Sequence, residues 1–368
     1  MNKKVILVTG GTGGHIYPAL SLADELQEKL GKENVFFIID RRPLASRVLS
    51  ENKYLFKPII AEPFPRKKIW HICRFIMKNC LGFFQAFFLM IGSRPKVLIA
   101  FGAYFSASPV LAAKFLGIPV LLHEQNAFPG VANKVLSKFA SRIAISFNEA
   151  RVYFPVSRTV LVGNPVRKDL LEVSRDEALN YFGISEGKVS ILVFGGSLAS
   201  ESINKSIIEM LPYLEENTSK LHFIHAAGAE YSSLLKREYA SRAFKASVFN
   251  YLDRMDLAYA VADIVIARAG ATTVAELSAL KKPSILIPFA GATSDHQALN
   301  ARSLEQVGGA ITIIEEDLSG EKLFLKLRPL INSPEKRKKM EQALEPLSKV
   351  FIDASTQLSE FVMRYIDV

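Results

Sequence analysis

The sequence predicts an α/β protein made of two doubly wound domains, each built around a parallel sheet. Its 368 residues fit two domains of ordinary size. Both halves alternate short β-branched runs with amphipathic stretches, as βαβ units do. A strand, a glycine turn and a helix open the chain and recur about 180 residues later. We expect domains at 1–163 and 164–340, and a helix within 341–368 that packs back on the first domain.

Composition and cysteine content indicate a folded protein of a reducing compartment. Hydrophobic residues make up 49% and charged residues 22% of the chain, which is typical of a globular protein. On one helix, Cys73 and Cys80 would be roughly 10 Å apart along the axis, too far for a disulfide. The chain enters a core strand directly after Met-Asn-Lys-Lys, so we expect no signal peptide.

The first glycine turn follows the strand at 5–9 and precedes a helix that we expect to start near Pro18. The dinucleotide fingerprint would need a glycine where Ile16 stands, and a P-loop would need one where His15 stands. Neither pattern is satisfied. The turn instead predicts an anion site that presents His15 at a strand-end crevice. His15 is then either a hydrogen-bonded structural residue or a reactive one.

The remainder of the first half continues the alternation. Polar or glycine-rich residues at 102–104 and 124–126 follow two of the strands and should share the sheet edge of His15. The predicted strands are 5–9, 35–39, 57–60, 97–100, 120–123, 142–146 and 159–162, and the predicted helices are 18–30, 42–51, 69–91, 106–116, 129–139 and 148–153.

Positive charge is concentrated in the first half. The net charge is +10, and residues 1–163 carry 22 Lys or Arg against 9 Asp or Glu. No acidic residue occurs between Glu62 and Glu124, while eight basic residues do. The basic, phenylalanine-rich segment at about 64–94 predicts a helix that contacts an anionic membrane surface. Nucleic acid is disfavoured because the basic residues alternate with large apolar ones.

The same segment could instead span the membrane or form an ordinary helix that covers the sheet. Its uncharged run, 79–93, is shorter than a membrane-spanning helix needs. An ordinary helix that covers the sheet would bury Phe83, Phe84, Phe87 and Phe88. Apolar residues recur at helical spacing along one stripe of this segment, while Arg74, Lys78 and Gln85 share a different side. The stripe consists of Ile69, Cys73, Ile76, Cys80, Phe83, Phe87 and Ile91.

The second half carries the most specific cluster, at 263–276. A strand, a glycine turn and a helix start bring Thr272 and Glu276 onto one helical face. A carboxylate suits ribose hydroxyls, and hydroxyls at a helix N-terminus suit a diphosphate. The alternative is a capping box between Thr273 and Glu276. A polar loop with groups able to hold sugar hydroxyls follows at 288–300. The predicted strands of this half are 189–194, 221–225, 247–250, 263–267, 284–287 and 310–314, and helices are expected at 174–182, from about 202, and within 334–367.

Taken together, the motifs resemble the MurG family of peptidoglycan N-acetylglucosaminyltransferases over nearly the whole chain. They occur in the family's order and spacing, at 10–15, 101–104, 123–126, 163–167, 195–197, 268–276 and 295–297. The resemblance implies a GT-B fold, with two Rossmann-like doubly wound domains facing across a cleft. The first would bind the acceptor and the membrane, and the second UDP-N-acetylglucosamine.

The activity that the resemblance implies is an inverting, metal-independent transfer without a cofactor. N-acetylglucosamine would pass from UDP-N-acetylglucosamine to lipid I, the undecaprenyl-linked muramyl-pentapeptide. The enzyme would act peripherally at the cytoplasmic face of the bacterial inner membrane, where other cell-wall synthesis proteins are potential partners. The sequence is consistent with metal independence, since it has no Asp-x-Asp pair that could hold a manganese ion and the diphosphate.

The resemblance also assigns residues. His15 would be either the base that removes the acceptor hydroxyl proton or a group that orients the acceptor phosphate. Glu276 would take the ribose hydroxyls, and Leu252 would line the uracil pocket through its backbone. Asn126 and Gln297 would hold the N-acetylglucosamine. The remaining donor contacts would be Thr12, Gly13, Gly14, Arg167, Ser197, Ala271, Thr272 and Thr273.

Two stretches depart from the family pattern. Leu198-Ala199-Ser200 replaces the usual glutamine, glycine and alanine, and Ala103 stands where a second glycine is common. The first departure removes a polar side chain and a flexible backbone beside the diphosphate, so we expect weaker donor binding than in relatives that keep the glutamine.

Three other functions compete. A UDP-sugar 2-epimerase would share fold and donor pocket but would need neither lipid acceptor nor basic aromatic helix. An NAD-dependent dehydrogenase could use Asp40 for a ribose, although the fingerprint fails. A non-enzymatic binder of nucleic acid or membranes would explain the charge but not the clusters at 268–276 and 295–297.

Overall fold

The computed structural model describes residues 3–65, 70–196, 199–291 and 296–366. The chain forms two compact units. One consists of Met1–Val166 together with Ile352–Val368, and the other of Arg167–Phe351. All thirteen predicted strands are present, and each end lies within two residues of its predicted position. The α/β, doubly wound prediction is confirmed.

The first unit contains a seven-stranded parallel sheet of order β3-β2-β1-β4-β5-β6-β7. Val8 of the first strand pairs with Ile38 on one side and with Ala100 on the other. The strand order therefore reverses between β1 and β4, where open α/β sheets bind ligands. The strands are β1 (Val5–Thr9), β2 (Val35–Ile39), β3 (Leu55–Pro58), β4 (Val97–Ala100), β5 (Val120–Glu124), β6 (Arg142–Ile145) and β7 (Thr159–Leu161).

Helices cover both faces of this sheet, with a buried apolar cluster beneath each set. One cluster includes Leu22 and Leu26 of the first helix, and the other includes Ala86, Met90 and Val110. The segment predicted as a helix at 148–153 is a 3-10 helix, Asn148–Tyr153. The α-helices are α1 (Gly13–Leu30), α2 (Pro43–Glu51), α3 (Trp70–Ser93), α4 (Ala107–Phe115) and α5 (Val131–Leu136).

The predicted start of α1 is wrong by five residues. Thr12 has an extended backbone and acts as the N-cap, and its carbonyl accepts from the N–H groups of His15 and Ile16 at 3.1 and 3.2 Å. Gly13 and Gly14 belong to the first turn, and Pro18 lies inside the helix. Glycine favours turns and proline favours the first turn of a helix, but here the helix already includes both glycines.

The second unit contains a six-stranded parallel sheet of order β10-β9-β8-β11-β12-β13, whose order reverses between β8 and β11. Its strands are β8 (Val189–Phe194), β9 (Leu221–Ala226), β10 (Lys245–Phe249), β11 (Ile264–Ala267), β12 (Ser284–Leu286) and β13 (Ala310–Thr312). Its helices are α6 (Asp169–Glu172), α7 (Arg175–Phe182), α8 (Glu201–Met210), α9 (Ser232–Ser241), α10 (Met255–Val261), α11 (Ala271–Ala279), α12 (His296–Val307), α13 (Gly320–Asn332) and α14 (Pro334–Ile352).

The last helix, α15 (Ala354–Met363), returns to the first unit. It packs on α1, where Leu358 and Val362 join the buried cluster and Lys29 Nζ donates to Ser359 Oγ at 2.6 Å. Helix α14 stays in the second unit, where Ser348 Oγ donates to the Ala279 carbonyl at 2.8 Å. The return thus begins at Ile352, whereas the sequence placed it at 341.

Helix α3 buries only part of the face that the sheet-covering interpretation predicts. Phe83 and Phe87 are half-buried and pack against the core. Ala86 and Met90 lie in the core, and Gly82 is so close to the Ile60 carbonyl that a Cβ there would lie 2.1 Å from its oxygen. Phe84 and Phe88 remain 53% and 66% exposed, so only part of the sheet-covering interpretation holds. Because the helix is apolar on almost every side, the spacing of its apolar residues does not identify the buried face. The small residues Gly82 and Ala86 mark that face, since they allow close packing. Members of the predicted stripe that are in fact exposed are Cys73, Ile76, Cys80 and Ile91.

Both departures from the family pattern lie at unusual backbone conformations. Ala199 has φ +58°, and Ala103 has φ +64° with ψ 163°, a region that almost only glycine adopts. A glycine at either position would adopt this conformation without strain.

We expect Ala103→Gly to stabilise the protein by about 1 kcal/mol. Relief of strain worth about 1–3 kcal/mol is partly offset by the greater entropy of the unfolded chain. Urea denaturation of the variant measures the change. Ala112→Gly, inside helix α4, is the matched control and should lose about 1 kcal/mol or more. Equal losses in both variants would show that Ala103 is not strained.

Candidate active site

The glycine turn of the first unit lies where the strand order reverses, between β1 and α1. Gly10 and Gly11 have φ of +156° and +80°, and a Cβ on Gly10 would lie 2.8 Å from Asp40 Oδ1. Thr12 makes no side-chain cap hydrogen bond. The glycine turn thus lies directly before the N-terminus of α1, which is where the sequence predicts an anion site.

His15 is the first member of a hydrogen-bonded chain that runs into the core. Its Nδ1 lies 3.1 Å from Gln125 Oε1, and Gln125 Nε2 lies 3.0 Å from His123 Nδ1. His123 Nε2 lies 2.9 Å from the carbonyl oxygen of Gly163. Thr9 Oγ1 donates to the His15 carbonyl at 2.7 Å and fixes the backbone. Burial lowers the pKa of His123 to about 4, so this ring is neutral at pH 7.

Glu124 organises the loop that carries Asn126. Its Oε1 accepts from the backbone N–H and the side-chain amide of Asn126 at 2.9 and 3.1 Å. Its Oε2 accepts from Gly130 N at 3.2 Å and from Asn133 Nδ2 at 2.9 Å. Burial raises the pKa of Glu124, and the four N–H groups oppose that shift. The carboxyl group therefore places Asn126 at the end of β5.

The carboxylate of Asp40 forms an ion pair with a neighbouring arginine. It is buried at the end of β2, and its Oδ2 accepts from Arg42 Nε at 2.6 Å in an ion pair. The Arg42 guanidinium also lies 5.6 Å from the ring centre of Tyr104. A ribose at Asp40, as a dehydrogenase would need, would compete with this ion pair.

In the second unit, the N-terminus of α11 and a buried carboxylate lie at the corresponding strand reversal. Helix α11 begins at Ala271 with Gly270 as N-cap, so the capping box between Thr273 and Glu276 is wrong. Glu276 Oε2 instead accepts from Tyr259 Oη at 2.9 Å. Burial raises the pKa of Glu276 to about 7, although the nearby positive charge of Arg167 lowers it. The structure thus brings Arg167 and Glu276 together, as predicted for a donor site.

Arg268 links the loops that flank this site. It forms an ion pair with Glu315, and its Nη2 donates to Ser202 Oγ at 2.9 Å. Glu315 Oε2 accepts from Ala290 N at 2.8 Å, and Gln297 Oε1 accepts from Phe289 N at 3.0 Å. Both contacts hold the start of the polar loop after β12. The side-chain oxygen of Gln297 therefore supports the loop in this structure.

The predicted site residues divide between the two units. The first unit holds Thr12, Gly13, Gly14, His15 and Asn126, and the second holds Arg167, Leu252, Ala271, Thr272, Thr273, Glu276 and Gln297. The side chain of Leu252 is buried in the loop between β10 and α10. Ser197 and Leu198 lie outside the described residues.

Three contacts of the site were not predicted from the sequence. They are His15 with Gln125, Tyr259 with Glu276, and Arg268 with Glu315. Each joins residues far apart in the chain: His15 and Gln125 are 110 positions apart, and Arg268 and Glu315 are 47 apart. Within the described ranges, no group of three or more His, Cys, Asp or Glu side chains could hold a metal ion.

Comparison with known families and sequences gives full-length matches. Residues 5–145 match the glycosyltransferase family 28 N-terminal domain, and residues 190–357 its C-terminal domain. A protein of Halothermothrix orenii is 41% identical, with 94% of this chain and 95% of that protein covered. One of Myxococcus xanthus is 38% identical, with 96% and 94% covered. Both are named UDP-N-acetylglucosamine–N-acetylmuramyl-(pentapeptide) pyrophosphoryl-undecaprenol N-acetylglucosamine transferase.

Solved structures agree with these matches. MurG of Acinetobacter baumannii superposes with a TM-score of 0.76 at 25% identity, covering 98% of this chain and 99% of its own. The UDP-N-acetylglucosamine 2-epimerase of Neisseria meningitidis gives 0.67 at 16% identity, covering 98% and 100%. The likeness to the epimerase concerns the fold alone.

Proposed function

The chain belongs to the MurG family within glycosyltransferase family 28, and we propose that it makes lipid II from lipid I. The reaction transfers N-acetylglucosamine from UDP-N-acetylglucosamine to the 4-hydroxyl of the muramyl sugar. The observation that carries this proposal is the full-length match to curated relatives with that activity in their names. The epimerase alternative is not favoured, because epimerases match in fold only.

We assign the acceptor to the first unit and the donor to the second. Glu276 accepts hydrogen bonds from the ribose hydroxyls, and the first-turn N–H groups of α11 face the diphosphate. His15 takes the proton of the acceptor hydroxyl, whose oxygen attacks the anomeric carbon with inversion. The bond from that carbon to the UDP oxygen breaks, and UDP leaves with the electron pair. Arg167 and the N-terminus of α11 stabilise the leaving diphosphate without a metal.

Metal independence is part of this proposal, and one assay tests it together with the activity. Labelled N-acetylglucosamine should pass from the UDP sugar to a lipid I analogue at the same rate, within about twofold, with and without EDTA. An activity that EDTA abolishes and Mg²⁺ or Mn²⁺ restores would contradict metal independence. Epimerised UDP sugar with no labelled lipid would contradict the transferase itself.

We further propose that the first unit binds the cytoplasmic face of the inner membrane peripherally, through α3. In the described part of the chain, one helix, His71–Ser93, is long and apolar enough to cross a membrane by length and composition. The shortness of the uncharged run at 79–93 therefore does not by itself exclude a membrane-spanning helix. Packing favours surface contact, because Ala86 and Met90 of this helix belong to the core. Its exposed apolar side chains are Ile72, Ile76, Met77, Leu81, Phe84, Phe88 and Ile91.

Sedimentation with vesicles of anionic phospholipid tests this surface. We expect Phe84→Ser/Phe88→Ser to weaken vesicle binding at least tenfold, because two exposed rings would no longer enter the interface. Tyr213→Ser/Leu325→Ser removes two similarly exposed apolar side chains of the second unit and is the matched control. An equal loss in both variants, or none in the first, would remove α3 from the proposed contact.

A further inference from the structure

The hydrogen-bond partners in this chain define which nitrogen of each ring carries a proton, starting from His123 at the buried end. His123 Nε2 lies 2.9 Å from the Gly163 carbonyl, which can only accept a hydrogen bond. Nε2 therefore carries the proton of this neutral ring. The other nitrogen, Nδ1, is consequently an acceptor.

The same logic orients the Gln125 amide. One end of that amide lies 3.0 Å from His123 Nδ1 and 3.2 Å from the His123 carbonyl oxygen. Both neighbours accept hydrogen bonds, so this end must be the NH₂ group. Two backbone carbonyls, of Gly163 and of His123, thus lead independently to one arrangement. The opposite end of the amide is the oxygen.

That oxygen lies 3.1 Å from His15 Nδ1 and can only accept. His15 must therefore donate through Nδ1, and in the neutral ring the lone pair is on Nε2. Gln125 is buried, as is His123, so the amide cannot turn over without leaving two acceptors facing each other.

We propose that Gln125 is a positioning residue for transfer, holding His15 in the tautomer whose Nε2 accepts the acceptor hydroxyl proton. This inference rests on the proposed function. The hydroxyl proton moves to Nε2, the hydroxyl oxygen bonds to the anomeric carbon, and UDP leaves with the electron pair of the broken bond. The imidazolium keeps its Nδ1–H bond to Gln125, which becomes a stronger, charge-assisted hydrogen bond. An amide orients the ring without adding a second charge to the site.

The tautomer can be measured directly in the wild-type chain. The protein has six histidines, so ¹⁵N-histidine NMR is tractable, and a His15→Asn spectrum assigns the His15 ring. We expect a protonated Nδ1 and a lone pair on Nε2 at a pH where the ring is neutral. A proton on Nε2 would overturn the proposal.

A double-mutant cycle tests the kinetic role. Gln125→Met keeps the length of the side chain but removes both polar atoms. It should lower kcat about 10- to 100-fold, with the KM for UDP-N-acetylglucosamine unchanged, because a His15 ring released to the other tautomer is a poor base. In a His15→Ala background, the same substitution should change kcat no more than about twofold.

Two outcomes overturn the positioning role in different ways. A loss from Gln125→Met that is equally large without His15 would mean that Gln125 acts on something else. If His15→Ala retained the wild-type kcat, the base assignment would fail, and the positioning role with it. The wild-type tautomer would still show whether the hydrogen bonds run as inferred, so failure of the chain and failure of the proposed base are distinguishable.

Discussion

His15→Ala should lower kcat about 10²- to 10⁴-fold, the range expected when a general base is removed from a proton-transfer step. The affinity for UDP-N-acetylglucosamine should stay within about twofold, since the lost group acts on the acceptor hydroxyl. Steady-state transfer to a detergent-solubilised lipid I analogue gives kcat, and calorimetric titration gives donor affinity.

His71→Ala is the matched control, because His71 is an exposed histidine of α3 and should leave kcat unchanged in detergent. The two roles that the sequence left open for His15 separate in this experiment. A KM for the acceptor that rises while kcat stays near wild type would favour phosphate orientation and would contradict the base.

Glu276 should make donor binding depend on pH. Burial raises the pKa of its carboxyl to about 7 in the unliganded protein, and ribose hydroxyls bond more strongly to the ionised form, in which both oxygens accept. Between pH 8 and pH 5.5 we expect the Kd of UDP-N-acetylglucosamine to rise at least tenfold. The donor's own diphosphate stays ionised over that range. Glu276→Gln should bind about 10- to 100-fold more weakly at pH 8 and should lose the pH dependence.

The same substitution should stabilise the unliganded protein at high pH. Because the folded-state pKa lies above the ordinary value of 4.5, stability is fully present below pH 4.5 and is lost as pH rises through 7. Glu276→Gln should therefore gain on the order of 2 kcal/mol at pH 8 and nothing at pH 4.5. Urea titrations at the two pH values measure this difference. A variant that is less stable at pH 8 would show that the buried carboxylate is better compensated than its burial implies.

Local patterns predicted the strands well because each parallel strand is a short apolar run that ends at a polar or glycine-rich turn. The glycine pairs Gly10-Gly11 and Gly195-Gly196 also follow β1 and β8, as the sequence predicts. Helix boundaries were less predictable. The start of α1 depended on hydrogen bonds to the Thr12 carbonyl, which residue preferences for glycine and proline do not reveal. The buried face of α3 depended on how closely Gly82 approaches the Ile60 carbonyl.

The sequence predicted several residues of the candidate site but not the hydrogen bonds that connect them. Glu276 was found because a carboxylate four residues after Thr272 has a recognisable spacing. Tyr259, its hydrogen-bond donor, lies on another helix, α10, and no local pattern connects the two. No local pattern indicated a role for Gln125, because that role depends on two histidines that the folded sheet brings together.

The return of α15 to α1 has a consequence for synthesis on the ribosome. Domains generally fold as units while the chain emerges, the N-terminal ones first. The first unit cannot follow that order to completion, since Leu358 and Val362 of its buried cluster are translated after the whole second unit. Its sheet can assemble early, but one apolar stripe of α1 remains uncovered until the whole of Arg167–Phe351 has been made. The first unit is therefore completed only after the second unit has been synthesised.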